Sequence, residues 1–163
     1  MPCAKRSKST EKFWRCWGGI DVETLSIKEV EYIAFRLARE MLAFNEPTPD
    51  FATRFPHILE SCLAAPFQTF GRKSLYPTLI AKAGILFYLL IKNHPFQNGN
   101  KRIAMTALMV LLYKNRRWIK ADTQEFYNFT VWIAQSPAGV KTATVSAIEK
   151  FLKDHLVPCG MRR

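Results

Sequence analysis

Apolar positions along the chain gather into a few long runs separated by short polar breaks. The two most continuous runs cover residues 79–91 and 103–113. Each is too short and too interrupted to span a bilayer, so both predict buried helices of a globular core. Upstream, Ser26-Ile27-Lys28-Glu29 has serine and glutamate at the spacing of a capping box. Val30, Ile33, Ala34, Leu37, Met41 and Leu42 then recur at helical spacing and predict a first helix reaching about residue 44. Pro47 and Pro49 exclude regular helix from the loop that follows. A second helix is predicted over 55–65, stopped by Pro66. Residues 67–76 are too short for another core helix; they read as a hairpin turning near Gly71 or as a connecting loop.

Pro77 suits the first turn of a third helix running to about residue 93. The fourth, over 99–114, has almost no polar face, which puts it at the centre of a bundle. Asn115-Arg116-Arg117 closes it with cations near its negative end. Asp122 and Glu125 open a fifth helix to about residue 135, and a last helix is predicted over 142–156. Strand patterns are scarcely visible. The chain predicts an all-α domain, a helical bundle around a buried central helix with at most a short β-hairpin.

Length and charge refine this picture. At 163 residues the chain suits one domain with extensions. We divide it into a basic N-terminal extension (1–22), a main domain (23–158) and a basic C-terminal tail (159–163). The first twenty residues lack the apolar core of a signal peptide, so the expectation is a soluble cytoplasmic protein with no membrane partner. Cys3, Cys16, Cys62 and Cys159 are scattered in neither a disulfide-scaffold nor a zinc-site pattern, and are expected to be reduced. Phe13, Trp14 and Trp17 lie among cations near the start of the chain. They suit docking onto the domain or stacking on nucleic-acid bases.

The net charge of +11 is unevenly spread. Residues 21–60 hold eight carboxylates against four cations, whereas residues 61–120 hold ten Lys or Arg and no carboxylate. That positive stretch suits a polyanionic nucleotide, an acidic partner or nucleic acid.

At its centre stands His94-Pro95-Phe96-Gln97-Asn98-Gly99-Asn100-Lys101-Arg102, the polar break between the two buried runs. Pro95 disfavours helical geometry at His94 and ends the incoming helix. Gly99-Asn100 supplies turn chemistry and opens the next helix, whose free backbone N–H groups favour anions. Lys101 and Arg102 add two charges there. A histidine just before an anion nest points to proton transfer beside a bound phosphate. A helix stop followed by a solvated basic turn is the plainer reading of the same residues.

This nine-residue stretch resembles the signature of the Fic/Doc family, specifically its death-on-curing (Doc) branch. The segments 59–66, 75–79 and 82–83 resemble regions upstream of the signature, so that the likeness covers about 25–156. The resemblance implies a nucleotide-dependent protein-modifying transferase using ATP and Mg2+. His94 would be the general base that takes the proton from a target hydroxyl. Gly99 and Asn100 would form the anion hole through their backbone N–H groups, and Lys101 and Arg102 would hold phosphate charge. Phe96 would anchor the loop. Leu75 and Tyr76 would belong to a flap that aligns the target by strand addition. At Asn98, Fic proteins usually carry an acidic residue that helps hold magnesium; an amide oxygen is a weaker ligand.

AMP-transferring members usually have glycine in place of Lys101 and a second arginine in place of Met105. In the Doc branch these changes go with transfer of the terminal phosphoryl group. The resemblance thus implies a toxin of a toxin–antitoxin pair, a Ser/Thr kinase blocking translation, with elongation factor Tu as the best-known target. A separate antitoxin would restrain it, since no inhibitory helix motif is present. AMP transfer and a catalytically weak binding module, touching nucleic acid through the basic tail, are the alternatives.

Overall fold

The structure is a computed structural model that describes residues 22–34, 36 and 51–159. The predicted end of the first helix, the loop at 46–50, most of the extension 1–22 and the tail beyond Cys159 lie outside the described residues. Helix α1 begins at Ile27 and its α-helical part is Ile27–Glu29. Ser26 caps it: Ser26 Oγ accepts from the Glu29 N–H at 3.2 Å, and the Glu29 carboxylate accepts from the Ser26 N–H at 2.8 Å. The next turn, Val30–Ala34, winds as π-helix rather than the predicted α-helix.

Helix α2 (Pro56–Ala64) starts with proline inside its first turn, where a missing N–H costs nothing. Pro66 does not end the winding at once, because a 3-10 turn, Ala65–Phe67, carries the chain on. Strands β1 (Thr69–Phe70) and β2 (Lys73–Ser74) then pair antiparallel, Thr69 facing Ser74 and Phe70 facing Lys73. Gly71 and Arg72, both at positive φ (55° and 64°), make the two-residue turn whose twist suits a hairpin. The hairpin reading of this stretch therefore holds over the loop reading.

Helix α3 (Leu79–Lys92) is capped by Thr78, whose Oγ1 accepts from the Ala81 N–H at 3.1 Å. Pro77 thus stands before the cap and not within the first turn. Helix α4 (Asn100–Lys114) follows; eleven of its fifteen residues are buried, as are eleven of the fourteen in α3, so these two helices share the centre of the bundle. Helix α5 (Thr123–Gln135), capped by Asp122, and helix α6 (Lys141–His155) complete the packing. Gly84 lets α3 approach α6 closely, since an added Cβ would lie 3.3 Å from Glu149 Cγ. Phe151 stacks on Phe129 at 4.4 Å and on Phe126 at 5.9 Å, joining α6 to α5.

Two further features depart from the sequence reading. Arg117 does not close α4; it begins strand β3 (Arg117–Ile119), which pairs antiparallel with β4 (Leu156–Pro158) after the last helix. The end of α4 is instead held by the amino-terminal segment. Asn115 Oδ1 accepts from the Glu23 N–H and its Nδ2 donates to the Glu23 carbonyl, both at 3.0 Å. Lys114 Nζ donates to the Thr24 carbonyl at 2.6 Å and pairs with the Glu29 carboxylate. The small paired strands do not change the class, which is all-α.

Candidate active site

The polar break between α3 and α4 is held in place by its own residues. Phe96 is 1% exposed and sits edge-tilted against Phe51 at 6.3 Å, so the loop is nailed into the core at its middle. Asn100 Nδ2 donates to the Phe96 carbonyl at 2.7 Å, while Asn100 Oδ1 accepts from the Phe96 N–H at 3.0 Å. The Pro95 carbonyl accepts from the Phe55 N–H at 2.9 Å, which fastens the loop to the start of α2. Asn93 Nδ2 reaches Cys62 Sγ at 3.7 Å. Cys62 is buried, and burial pushes its thiol up, against a smaller opposing pull from the Asn93 hydrogen bond. Cys62 and Cys159 are free thiols.

With the loop fixed, the side chains on its outer side face a cleft of about 240 Å³ lined by Ile91, His94, Asn98, Gly99, Asn100, Lys101 and Ala134. His94 and Asn98 are exposed there. His94 leaves α3 in the left-handed region at φ 46°, a conformation rare for a residue with a Cβ. Such strain occurs where surrounding structure over-determines the backbone, and here Pro95 and the buried Phe96 do so. Gly99 is at φ 67° and precedes the first residue of α4 without a side-chain cap. Its geometry belongs to glycine, and it leaves the first turn of the buried helix α4 open to an anion at the cleft.

The seventh lining residue comes from α5, and Lys92 explains its place. Lys92 Nζ donates to the carbonyls of Ala134 at 3.0 Å and Ser136 at 2.7 Å, capping the negative end of α5 from the last turn of α3. Sequence reading missed this lysine; a cation ending an apolar helix was its only signal.

The structure brings His94, Asn98, Gly99, Asn100 and Lys101 to one cleft. Arg102 is buried at 6% exposure and is not among the lining residues. Leu75 and Tyr76 follow strand β2, with Leu75 51% exposed, and neither lines the cleft. Asn100 lines it and also braces Phe96, a bracing role for its side chain that the sequence did not suggest.

The donors suit phosphate better than a metal. An uncapped helix N-terminus beside Lys101 is an anion site by charge and by hydrogen bonding. For a hard divalent cation the cleft supplies only the Asn98 amide oxygen, and residues 61–120 contain no carboxylate. No cluster of three or more metal-ligating side chains occurs among the described residues. A metal here would be held by nucleotide phosphates and water, with Asn98 as its one protein contact.

The helical bundle thus brings an exposed histidine and a helix N-terminus flanked by Lys101 into one cleft, an arrangement able to receive an anion beside an imidazole. A family model for the Fic/DOC family matches residues 24–112, more than half of the chain, and ends within α4. The protein belongs to the Fic/DOC family, whose members are typically transferases that modify other proteins by nucleotidyl or phosphoryl transfer. No curated protein and no solved structure matches the chain. Among the described residues no helix is long and apolar enough to cross a membrane.

Proposed function

We propose that the protein is a Doc-like kinase that transfers the terminal phosphoryl group of ATP to a Ser or Thr hydroxyl of a target protein. The observation that carries this reading is the shared cleft of His94, Gly99 and Lys101. His94 takes the proton of the target hydroxyl as its oxygen attacks the γ-phosphorus. The bond from that phosphorus to the bridging oxygen breaks, and ADP leaves with the electron pair. Backbone N–H groups at the start of α4 and the Lys101 ammonium hold the phosphate charge that builds up. Arg102 contributes to the positive field from beneath. Asn98 is the residue that would hold magnesium carried in on the phosphates, where the ion would supply further charge neutralisation.

Two residues favour phosphoryl over AMP transfer. Lys101 fills space at the anion hole where AMP-transferring members have glycine. Met105, standing where they have a second arginine, is fully buried and provides no clamp for another phosphate. Modification of elongation factor Tu, with arrest of translation and restraint by an antitoxin, is the physiological setting we propose. Leu75 and Tyr76 align the target chain by strand addition at the hairpin.

The experiment is transfer of label from ATP marked at the α or γ position into a cytoplasmic extract, with His94→Ala as control. We expect label from γ alone, absent in the variant. Label from α alone would mean AMP transfer and defeat the argument from Lys101 and Met105. Label from neither would favour a binding module, whose support is Asn98 and the carboxylate-free basic stretch.

A further inference from the structure

Lys82 is the charged residue least expected where it stands. It lies in the first turn of α3, is 9% exposed, and interrupts a run that is otherwise apolar from Leu79 to Ile91. Burying an ammonium costs several kcal/mol unless its protons find acceptors, and such a lysine is rare without a structural reason. Its acceptors are neutral. Lys82 Nζ donates to the Pro66 carbonyl at 3.1 Å and to Ser74 Oγ at 3.2 Å, and lies 4.7 Å from the centre of the Phe67 ring. These three contacts gather the 3-10 turn before the hairpin, the hairpin's second strand, and α3.

The contacts continue outward. Ser74 Oγ donates in turn to the Tyr76 carbonyl at 3.1 Å, so Lys82 is linked through Ser74 to the backbone of Tyr76. On the other side of the strand, the Leu75 N–H donates to the Gln68 carbonyl at 3.1 Å and extends the hairpin ladder by one bond. All residues from Thr69 to Leu75 are exposed, Phe70 at 81% and Leu75 at 51%. A two-stranded hairpin with no buried face is marginal by itself. What fixes it must therefore come from its base.

We infer that Lys82 is the positioning residue of the hairpin: its ammonium ties strand β2 and the Tyr76 backbone to α3, holding the strand edge in place for a target chain. This rests on the transferase reading above and names the residue that keeps its target-aligning element ordered. A lysine suits the task because its long stem crosses the apolar interior of α3 while three donors serve acceptors on two segments. Burial also holds the ammonium below the ordinary lysine range.

The test uses the full chain and three variants: Lys82→Met, which keeps the stem and removes the donors; Lys82→Arg, which restores N–H donors; and Ser74→Ala, at an exposed position that the core does not need. Amide exchange is read at Leu75 and across 69–74, with α4 as internal reference. We expect exchange at the hairpin to rise roughly tenfold in Lys82→Met and by less in Ser74→Ala, with α4 unchanged and partial recovery in Lys82→Arg. In parallel, γ-labelled ATP is used with a dilution series of cytoplasmic extract as acceptor. The extract concentration giving half-maximal labelling is expected to rise several-fold in Lys82→Met, with the loss falling on this value more than on the plateau.

Unchanged hairpin exchange in Lys82→Met overturns the inference, as does faster exchange with no shift in half-saturation. Faster exchange in α4 as well would make Lys82 a general core residue, which also overturns it. A wild-type protein that labels nothing defeats the transferase reading instead, and the exchange comparison alone then decides whether Lys82 is the tether.

Discussion

Asn100 grips a single residue, Phe96, by both of its backbone polar groups: its amide nitrogen donates to the carbonyl at 2.7 Å and its amide oxygen accepts from the N–H at 3.0 Å. Only an amide side chain offers donor and acceptor at that spacing. The pair closes the loop into a ring across the start of α4, with the Phe96 side chain in the core and the cleft on the outside.

Replacing Asn100 by alanine removes a hydrogen bond from each of two buried backbone groups, at a cost of about 1–3 kcal/mol each. Urea denaturation of Asn100→Ala should show a loss of about 2–4 kcal/mol with an unchanged slope. Asn100→Asp keeps the acceptor and loses the donor, and should fall between. A variant within about 0.5 kcal/mol of wild type would mean that the ring is not what holds the loop.

At His94 the prediction concerns backbone geometry rather than the imidazole. A left-handed residue with a Cβ costs roughly 1–2 kcal/mol that glycine avoids. His94→Gly should therefore be about 1 kcal/mol more stable than His94→Ala, the reverse of their order in a helix. Both should lack transfer activity. Equal stability in the two variants would argue against the left-handed conformation in solution.

Asn98 faces the cleft from an exposed position, so its replacement tests ligand chemistry without touching the core. Asn98→Asp provides the carboxylate that a hard cation prefers. Calorimetric titration should show ATP binding tighter by roughly tenfold with magnesium, little or no gain with a chelator present, and an unchanged melting temperature. Equal gains under both conditions would remove Asn98 from the metal's surroundings.

Glu29 supplies a pH dependence. Burial raises its carboxyl, but hydrogen bonds from Lys114 and from the Ser26 backbone and hydroxyl outweigh that, and the net shift is downward. A carboxyl lower in the folded state than in the unfolded chain stabilises the fold above its unfolded pKa. That contribution is lost as pH falls from about 4.5 through the lower folded value. Melting temperature followed from pH 7 to pH 3 should fall more steeply for wild type than for Glu29→Gln, which lacks this group's titration. Parallel curves would show that the Lys114 contact does not bind the amino-terminal segment to α4.

Helices α2 to α6 were legible in the sequence because each is specified locally. Runs of apolar residues marked α3 and α4, Asp122 announced the cap of α5, and Ser26 and Glu29 met in the capping box their spacing implied. The cleft was legible for the same reason: His94, Asn98, Gly99, Asn100 and Lys101 are close in sequence and have little freedom to separate. What stayed hidden depends on partners distant in the chain. Arg117 looks like a helix-closing cation until Pro158 pairs with it across the last two helices. Lys92 and Lys82 look like solvated charges until the carbonyls they cap are known. Lys82 did carry a signal, being a lone charge inside an apolar run, and a lysine so placed must have acceptors.

The Pro95 bond to Phe55, the Asn100 ring and the buried Phe96 together have a thermal consequence. A loop fastened to the core at three points has no cheap local opening. Hydrogen exchange at Phe96 should then proceed only through global unfolding. Moderate heating would leave the cleft intact up to the melting transition, so activity would end with the fold and not before it. Control short of denaturation must therefore act from outside the loop, by covering the cleft or displacing the hairpin.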